Sequence, residues 1–173
     1  MIKHTYEIRH LQAGDAEAVH EILSAMTTMM GTMRVPYPSL ESIQERVKPV
    51  DGIIKLGACH EGNVVGFSEL ITNLDVPRHR HAGEINMVAV HENWLCKGVG
   101  RALMEAMVDL ADNWLNLHRV GLTVWHTNDH AIRLYEQCGF VIEGTMKDYV
   151  YREGEYLDAV VMGRIRPKQK NMA

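Results

Sequence analysis

The sequence predicts one domain of mixed α/β class, and three observations carry that prediction. The chain has 173 residues, close to one domain at roughly 150 residues per domain. Its 46% hydrophobic and 23% charged fractions suit an ordinary packed core with a solvated surface. The apolar pattern also switches between strand and helix periods along the whole chain. The resulting order is strand, two helices, hairpin, strand, helix, strand, helix and a final hairpin. The central strand–helix–strand–helix–strand run calls for parallel pairing, with antiparallel strands toward the ends.

Each element has its own local reason. Tyr6-Glu7-Ile8-Arg9-His10-Leu11 alternates polar and apolar side chains and reads as a strand. Asp15 is placed to cap an amphipathic helix carrying Ala16, Ala18, Val19, Ile22, Leu23 and Met26. Residues 31–39 form a loop, because Val35-Pro36-Tyr37-Pro38 fits neither a helix interior nor a central strand. Ser39 caps a second helix that runs to Val47. Residues 53–60 and 64–71 are strands joined by the turn Glu61-Gly62-Asn63. Another strand spans 84–90. Val99, Leu103, Ala106, Met107, Leu110 and Trp114 recur at helical spacing and predict one helix over 98–114. A strand at 120–125 and a helix at 128–138, closed by Gly139, come next. Residues 140–143 begin a strand that 149–151 extends or follows. Arg152-Glu153-Gly154-Glu155 is a turn, and 156–165 is the last strand. One domain over 5–166 with a flexible tail at 167–173 is expected.

Charge and cysteine usage narrow the function. The 18 basic and 22 acidic side chains leave a formal charge of −4, which disfavours binding to nucleic acid through bulk positive charge. Cys59, Cys96 and Cys138 are odd in number and form no CxxC pair, so a reducing, cytoplasmic compartment is expected. No apolar run approaches the ~20 residues of a membrane span, and no secretory signal is expected. The histidines form no HExxH or His/Cys cluster, so no metal is expected.

Two segments carry the chemistry. In residues 85–101 an apolar strand leads into a short loop with Gly98 and Gly100, and a long helix starts at once. A helix start offers unpaired N–H groups and the positive end of a dipole. Lys97 and Arg101 add charge, so the assembly suits a diphosphate; the plain alternative is a glycine turn. Leu103 stands where a dinucleotide fingerprint needs its third glycine, which disfavours a NAD enzyme. In residues 127–140, Asn128 opens a helix and Tyr135 follows about two turns later on the same face. The plain alternative is a capping Asn128 and a core-packed Tyr135.

Together these segments resemble the GNAT superfamily of N-acetyltransferases. The match is to its Arg/Gln-x-x-Gly-x-Gly/Ala motif and its Asn…Ala-x-x-x-Tyr-Glu-x-x-Gly-Phe motif, in the family's order and separation. Within it, Val35-Pro36-Tyr37-Pro38-Ser39, Asp112-Asn113-Trp114-Leu115, Ile142-Glu143-Gly144-Thr145 and residues 152–159 look most like bacterial L-amino acid N-acetyltransferases. The resemblance implies a mostly antiparallel central sheet of about seven strands flanked by about four helices. It implies acetyl-CoA as cosubstrate, held by Val88, Ala89 and Val90 along the pantetheine arm. Leu95, Cys96, Lys97, Gly98, Val99, Gly100 and Arg101 would hold the pyrophosphate, and Asn128 and Ala131 lie at the second motif. Leu95 and Cys96 depart from the usual Arg or Gln and Gly, which removes one side-chain contact but spares backbone binding. Tyr135 would protonate the departing thiolate.

An amine must be neutral to attack, so a base is useful. Glu84 is the leading candidate, because simple strand alternation puts it on one face with Val88; Glu69, His79, His81 and His91 are the others. Cys96 sits beside Lys97 at a helix start, but no nearby His–Asp order supports a nucleophile. Met33, Tyr37 and Glu69 are candidate acceptor contacts. Met26, Met29, Met30 and Met33 form either a core-facing helix end or an adaptable acceptor wall suited to an apolar side chain. A free L-amino acid is the leading acceptor. A polyamine, an aminoglycoside or a protein N-terminus keeps the same chemistry, and a non-catalytic acyl-CoA-binding module is the other alternative. An acidic pocket would favour polyamines, and a cationic anchor would favour amino acids. A homodimer through the C-terminal strands or an exposed helix face is also expected.

Overall fold

The computed structural model describes residues 6–167; of the tail expected at 167–173, residues 168–173 lie outside the described residues. Seven strands form one sheet: β1 (Glu7–His10), β2 (Ile53–His60), β3 (Asn63–Thr72), β4 (Ala82–Val90), β5 (Arg119–Trp125), β6 (Val141–Arg152) and β7 (Glu155–Ile165). Their order is β1-β2-β3-β4-β5-β7-β6. Only β4 and β5 pair in parallel; all other neighbours are antiparallel. The parallel pairing expected for the centre is thus confined to one pair, because β7 inserts between β5 and β6.

Five helices cover the sheet: α1 (Ala16–Ser24), α2 (Met26–Met30), α3 (Leu40–Val47), α4 (Val99–Asp109) and α5 (Asp129–Gln137). On one face, Val99, Leu103, Met104 and Met107 of α4 are all but sealed from solvent against Val65, Leu122 and Met162. On the other, Val19, Ile22 and Leu23 of α1 and Ile43 and Val47 of α3 pack on Phe67 and Ala89. Each such side chain contributes about 1.5–3 kcal/mol of burial. Gly66 on β3 makes the α4 packing possible, because a Cβ there would stand 2.6 Å from Val99 Cγ1.

Three local expectations are corrected. Asp15 does not cap α1: a 3-10 turn at Ala13–Asp15 already gives it helical dihedrals. Its carboxylate instead accepts from both terminal nitrogens of Arg9 at 2.8 Å and from the Gln12 N–H at 2.7 Å. That pairing with Arg9 holds Asp15 below the usual carboxylate range. The first helix also stops at Ser24, where Ala25 is extended, so Met26 begins a separate turn. The long helix ends as a π turn over Leu110–Trp114. The wider turn breaks the 3.6 period on which the core stripe rests. Trp114 is consequently 75% exposed, with its Nε1 donating to Asp109 at 3.2 Å. Asp112 in the same turn accepts two 2.7 Å bonds from Arg164 of β7. Ser39 does cap α3, accepting from Ser42 N–H at 3.2 Å.

Candidate active site

The sheet comes apart in its middle. β4 and β5 pair only from Ala82↔Arg119 to Ile85↔Leu122. Beyond that point β4 bulges: Met87 faces Glu69 while Ile85 faces Leu70, leaving Asn86 as the extra residue. The later parts of β4 and β5 then diverge. His91 N–H donates to the Val65 carbonyl at 2.9 Å. Antiparallel alternation therefore commits Met87 and Ala89 to β3 and turns the backbone groups of Val88 and Val90 toward the gap. Among the described residues those groups have no strand partner there.

The bulge also overturns the alternation argument for Glu84. Ile85, Val88 and Val90 pack on the α4 side, whereas Met87 and Ala89 pack on the α1 side. Glu84 therefore lies on the face opposite Val88. It still lines the cavity, where it is the only carboxylate among the described lining residues.

A cavity of about 960 Å³ fills the gap. Val88, Ala89 and Val90, Leu95 and Cys96, Gly98 to Arg101, Asn128, Ala131, Tyr135 and Met33 all line it. The alternative bases His79, His81 and His91 do not line it, nor do Lys97, Tyr37 and Glu69. The Lys97 ammonium sits over the Trp94 ring, 5.0 Å from its centre. Tyr37 is 96% exposed at a left-handed loop position (φ 63). Glu69 is buried beneath the cavity, accepting from Arg46 at 2.5 Å and Asn86 Nδ2 at 2.9 Å.

At one end, the loop before α4 turns through left-handed dihedrals at Cys96 (φ 58) and Gly98 (φ 92). No side chain caps α4, and its first backbone bond is Ala102 N–H to Gly98 carbonyl at 3.0 Å. The amides of Val99, Gly100 and Arg101 are therefore left for an anion, at the positive end of the helix. Arg101 is held by the Gln137 side-chain carbonyl. Asn128 fulfils the capping alternative, its Oδ1 accepting from Ala131 N–H at 3.2 Å. Its Nδ2 lies beside Gly31 at the cavity wall.

Tyr135 packs on Phe140, and among the described residues its hydroxyl has no hydrogen-bond partner. Burial pushes its pKa, already well above neutral, up to about 12, so the phenol holds its proton into alkaline pH. Core packing and cavity lining thus hold together for this residue.

The other end is built from residues that sequence reading missed: Thr27 and Thr28 of α2, Arg34, Arg46 of α3, Asn86, Trp125 and Tyr149. The interruption of the helix at Ala25 turns α2 so that Thr27 and Thr28, not Met26, Met29 or Met30, face the cavity; Met26 is 61% exposed. Arg152 of β6 holds this end in place, its Nη1 donating to the Met30 carbonyl at 2.7 Å. Nothing in the local pattern marks Arg34 or Arg46, because each reads as a solvated cation in a loop or on a helix face. Among the described residues no group of three or more His, Cys, Asp or Glu side chains is placed to hold a metal ion. No helix among them is long and apolar enough to cross a membrane.

This architecture has known relatives. Residues 16–140 match the acetyltransferase (GNAT) family. The chain is 40% identical over 162 residues to the L-amino acid N-acetyltransferase AaaT of Escherichia coli (strain K12), covering 92% of this chain and 97% of that one. It is 27% identical over 168 residues to the spermidine N(1)-acetyltransferase of Vibrio cholerae, covering 95% of each. The crystal structure of the V. cholerae spermidine N-acetyltransferase with CoA and spermine superposes with a TM-score of 0.81 at 26% identity, covering 92% of this chain and 95% of that one. The chain belongs to the GNAT acetyltransferase family and is an N-acetyltransferase.

Proposed function

We propose that the protein acetylates the primary amine of a free L-amino acid, with acetyl-CoA as donor, by direct attack in a ternary complex. The observation that carries this reading is the continuity of one cavity. It runs from the uncapped start of α4, past Tyr135, to an end where Arg34 and Arg46 stand instead of an acidic lining. Holding both substrates in this one continuous cavity would lower the entropic cost of their meeting. A carboxylate-bearing amine matches the cationic end, and a polyamine does not.

Acetyl-CoA supplies the activated acyl group. The amides of Val99 to Arg101 receive its pyrophosphate, and the open backbone of Val88 and Val90 pairs with its pantetheine arm. Glu84 takes the proton that the ammonium loses, directly or through water. A backbone N–H of β4 near Val88 stabilises the oxyanion. The neutral Tyr135 hydroxyl gives its proton to the departing thiolate.

Incubation with acetyl-CoA and a panel of amines, followed by free-thiol release, tests the reading. Release with L-amino acids is expected. Release only with polyamines, aminoglycosides or peptides would replace the acceptor while keeping the chemistry. CoA binding without release for any amine would leave an acyl-CoA-binding module.

A further inference from the structure

We infer that Arg34 is the anchor for the acceptor's carboxylate, its side chain lining the cavity without a hydrogen-bond or ion-pair partner while Glu69 is bonded to Arg46 and Asn86. The inference rests on the acetyl-transfer reading and names the group that selects the acceptor.

Three arginine and lysine charges meet one carboxylate beneath this end of the cavity. Lys55 is buried and donates to the Arg46 and Lys48 carbonyls at 2.5 and 2.6 Å, so it serves the C-terminus of α3. Arg46 donates to Glu69 at 2.5 Å and touches Met87 Sδ at 3.7 Å. Asn86, thrown out by the β4 bulge, donates to the same Glu69 oxygen at 2.9 Å. Glu69 thus orients Arg46 and the bulge through one oxygen, Oε2, and takes no bond from Arg34. Arg34 has no such partner: its Nε is sealed from solvent without an acceptor, and among the described residues its side chain makes no hydrogen bond or ion pair. It lines the cavity. Burial, then the nearby Arg46 charge, pushes its pKa down, with the Glu69 charge opposing them. A half-buried guanidinium with its Nε sealed and no bonded partner, lining a ligand cavity, is matched by a planar carboxylate, which takes two parallel N–H bonds. The same charge opposes a polyamine chain in this position.

The test compares L-leucine with 3-methylbutylamine, the same amine without the carboxylate, in the wild type, Arg34→Ala and Arg34→Lys. Arg34→Ala is expected to raise KM for L-leucine on the order of 30-fold, with Arg34→Lys in between. The kinetics on 3-methylbutylamine and the affinity for CoA should stay within about 2-fold. Equal losses on both amines, or an unchanged KM for L-leucine, would overturn the inference. Calorimetry with N-acetyl-L-leucine reads the same contact without turnover. Weaker binding to Arg34→Ala and Arg34→Lys than to the wild type supports it; equal binding by all three overturns it. Spermidine turnover without L-leucine turnover would overturn the anchor but keep acetyl transfer, whereas no thiol release with any amine would remove the acetyl-transfer reading itself.

Discussion

The two ends of the cavity are built from different materials. The α4 end uses backbone: unpaired amides at a helix start, a loop held in left-handed dihedrals at Cys96 and Gly98, and a strand edge opened by divergence. The Arg34 end uses side chains brought from α2, the following loop, α3 and the β4 bulge. Backbone geometry tolerates many side chains, so Leu95 and Cys96 can stand where the family usually has Arg or Gln and Gly. Side-chain chemistry does not, so the second end is where related enzymes can diverge in what they accept.

The largest effect should fall between the two ends. Tyr135→Phe should lower kcat on the order of 10²–10⁴-fold with CoA affinity unchanged, read by steady-state kinetics and calorimetry. Unchanged turnover would take the phenol out of the chemistry. At the side-chain end, Glu69→Gln leaves Arg46 without its anionic partner. With Arg46 partly exposed, a loss of about 2–3 kcal/mol is expected by denaturant unfolding, with KM for the amine rising more than KM for acetyl-CoA. At the backbone end, Gly66→Ala must push Val99 and α4 away from the sheet. It should cost about 1–2 kcal/mol, and KM for acetyl-CoA should rise more than KM for the amine. Equal effects of these two changes on both substrates would mean that the ends are not independent.

Alkaline pH sharpens the role of Tyr135. Its folded pKa is raised from 10.0 to about 12, so the folded state keeps a proton that the unfolded state has released. Stability should therefore fall as pH rises from about 10 toward 12. Loss of the acid should not limit kcat below that window. Tyr135→Phe should flatten this part of a thermal-melt profile, and an unchanged slope would assign it elsewhere. The smallest effect belongs to Cys96→Ala, which keeps the loop backbone; CoA affinity should stay within about 2-fold. A larger loss would show that the thiol itself contributes.

Much of the fold was legible because the signals are local. Ser39, Gly62, Gly98 and Gly139 mark boundaries that the structure keeps. The misreadings arose where tertiary packing overrode local pattern. Asp15 exchanged a cap for Arg9, Trp114 followed a π turn into solvent, and one bulge at Asn86 moved Glu84 off the face of Val88.

From the sequence alone come the class of fold, the strand–loop–helix with its anion-binding start, and the Asn128–Tyr135 pair two turns apart. Each depends on residues a few positions from one another, whose dihedrals and periods are set locally. The tertiary structure decided the divergence of β4 from β5, the burial that raises the Tyr135 pKa, and the meeting of Arg34, Arg46, Glu69 and Asn86. Those features need segments far apart in the chain to be brought together. Charge pairing and desolvation depend on distance in space, which no local spacing encodes.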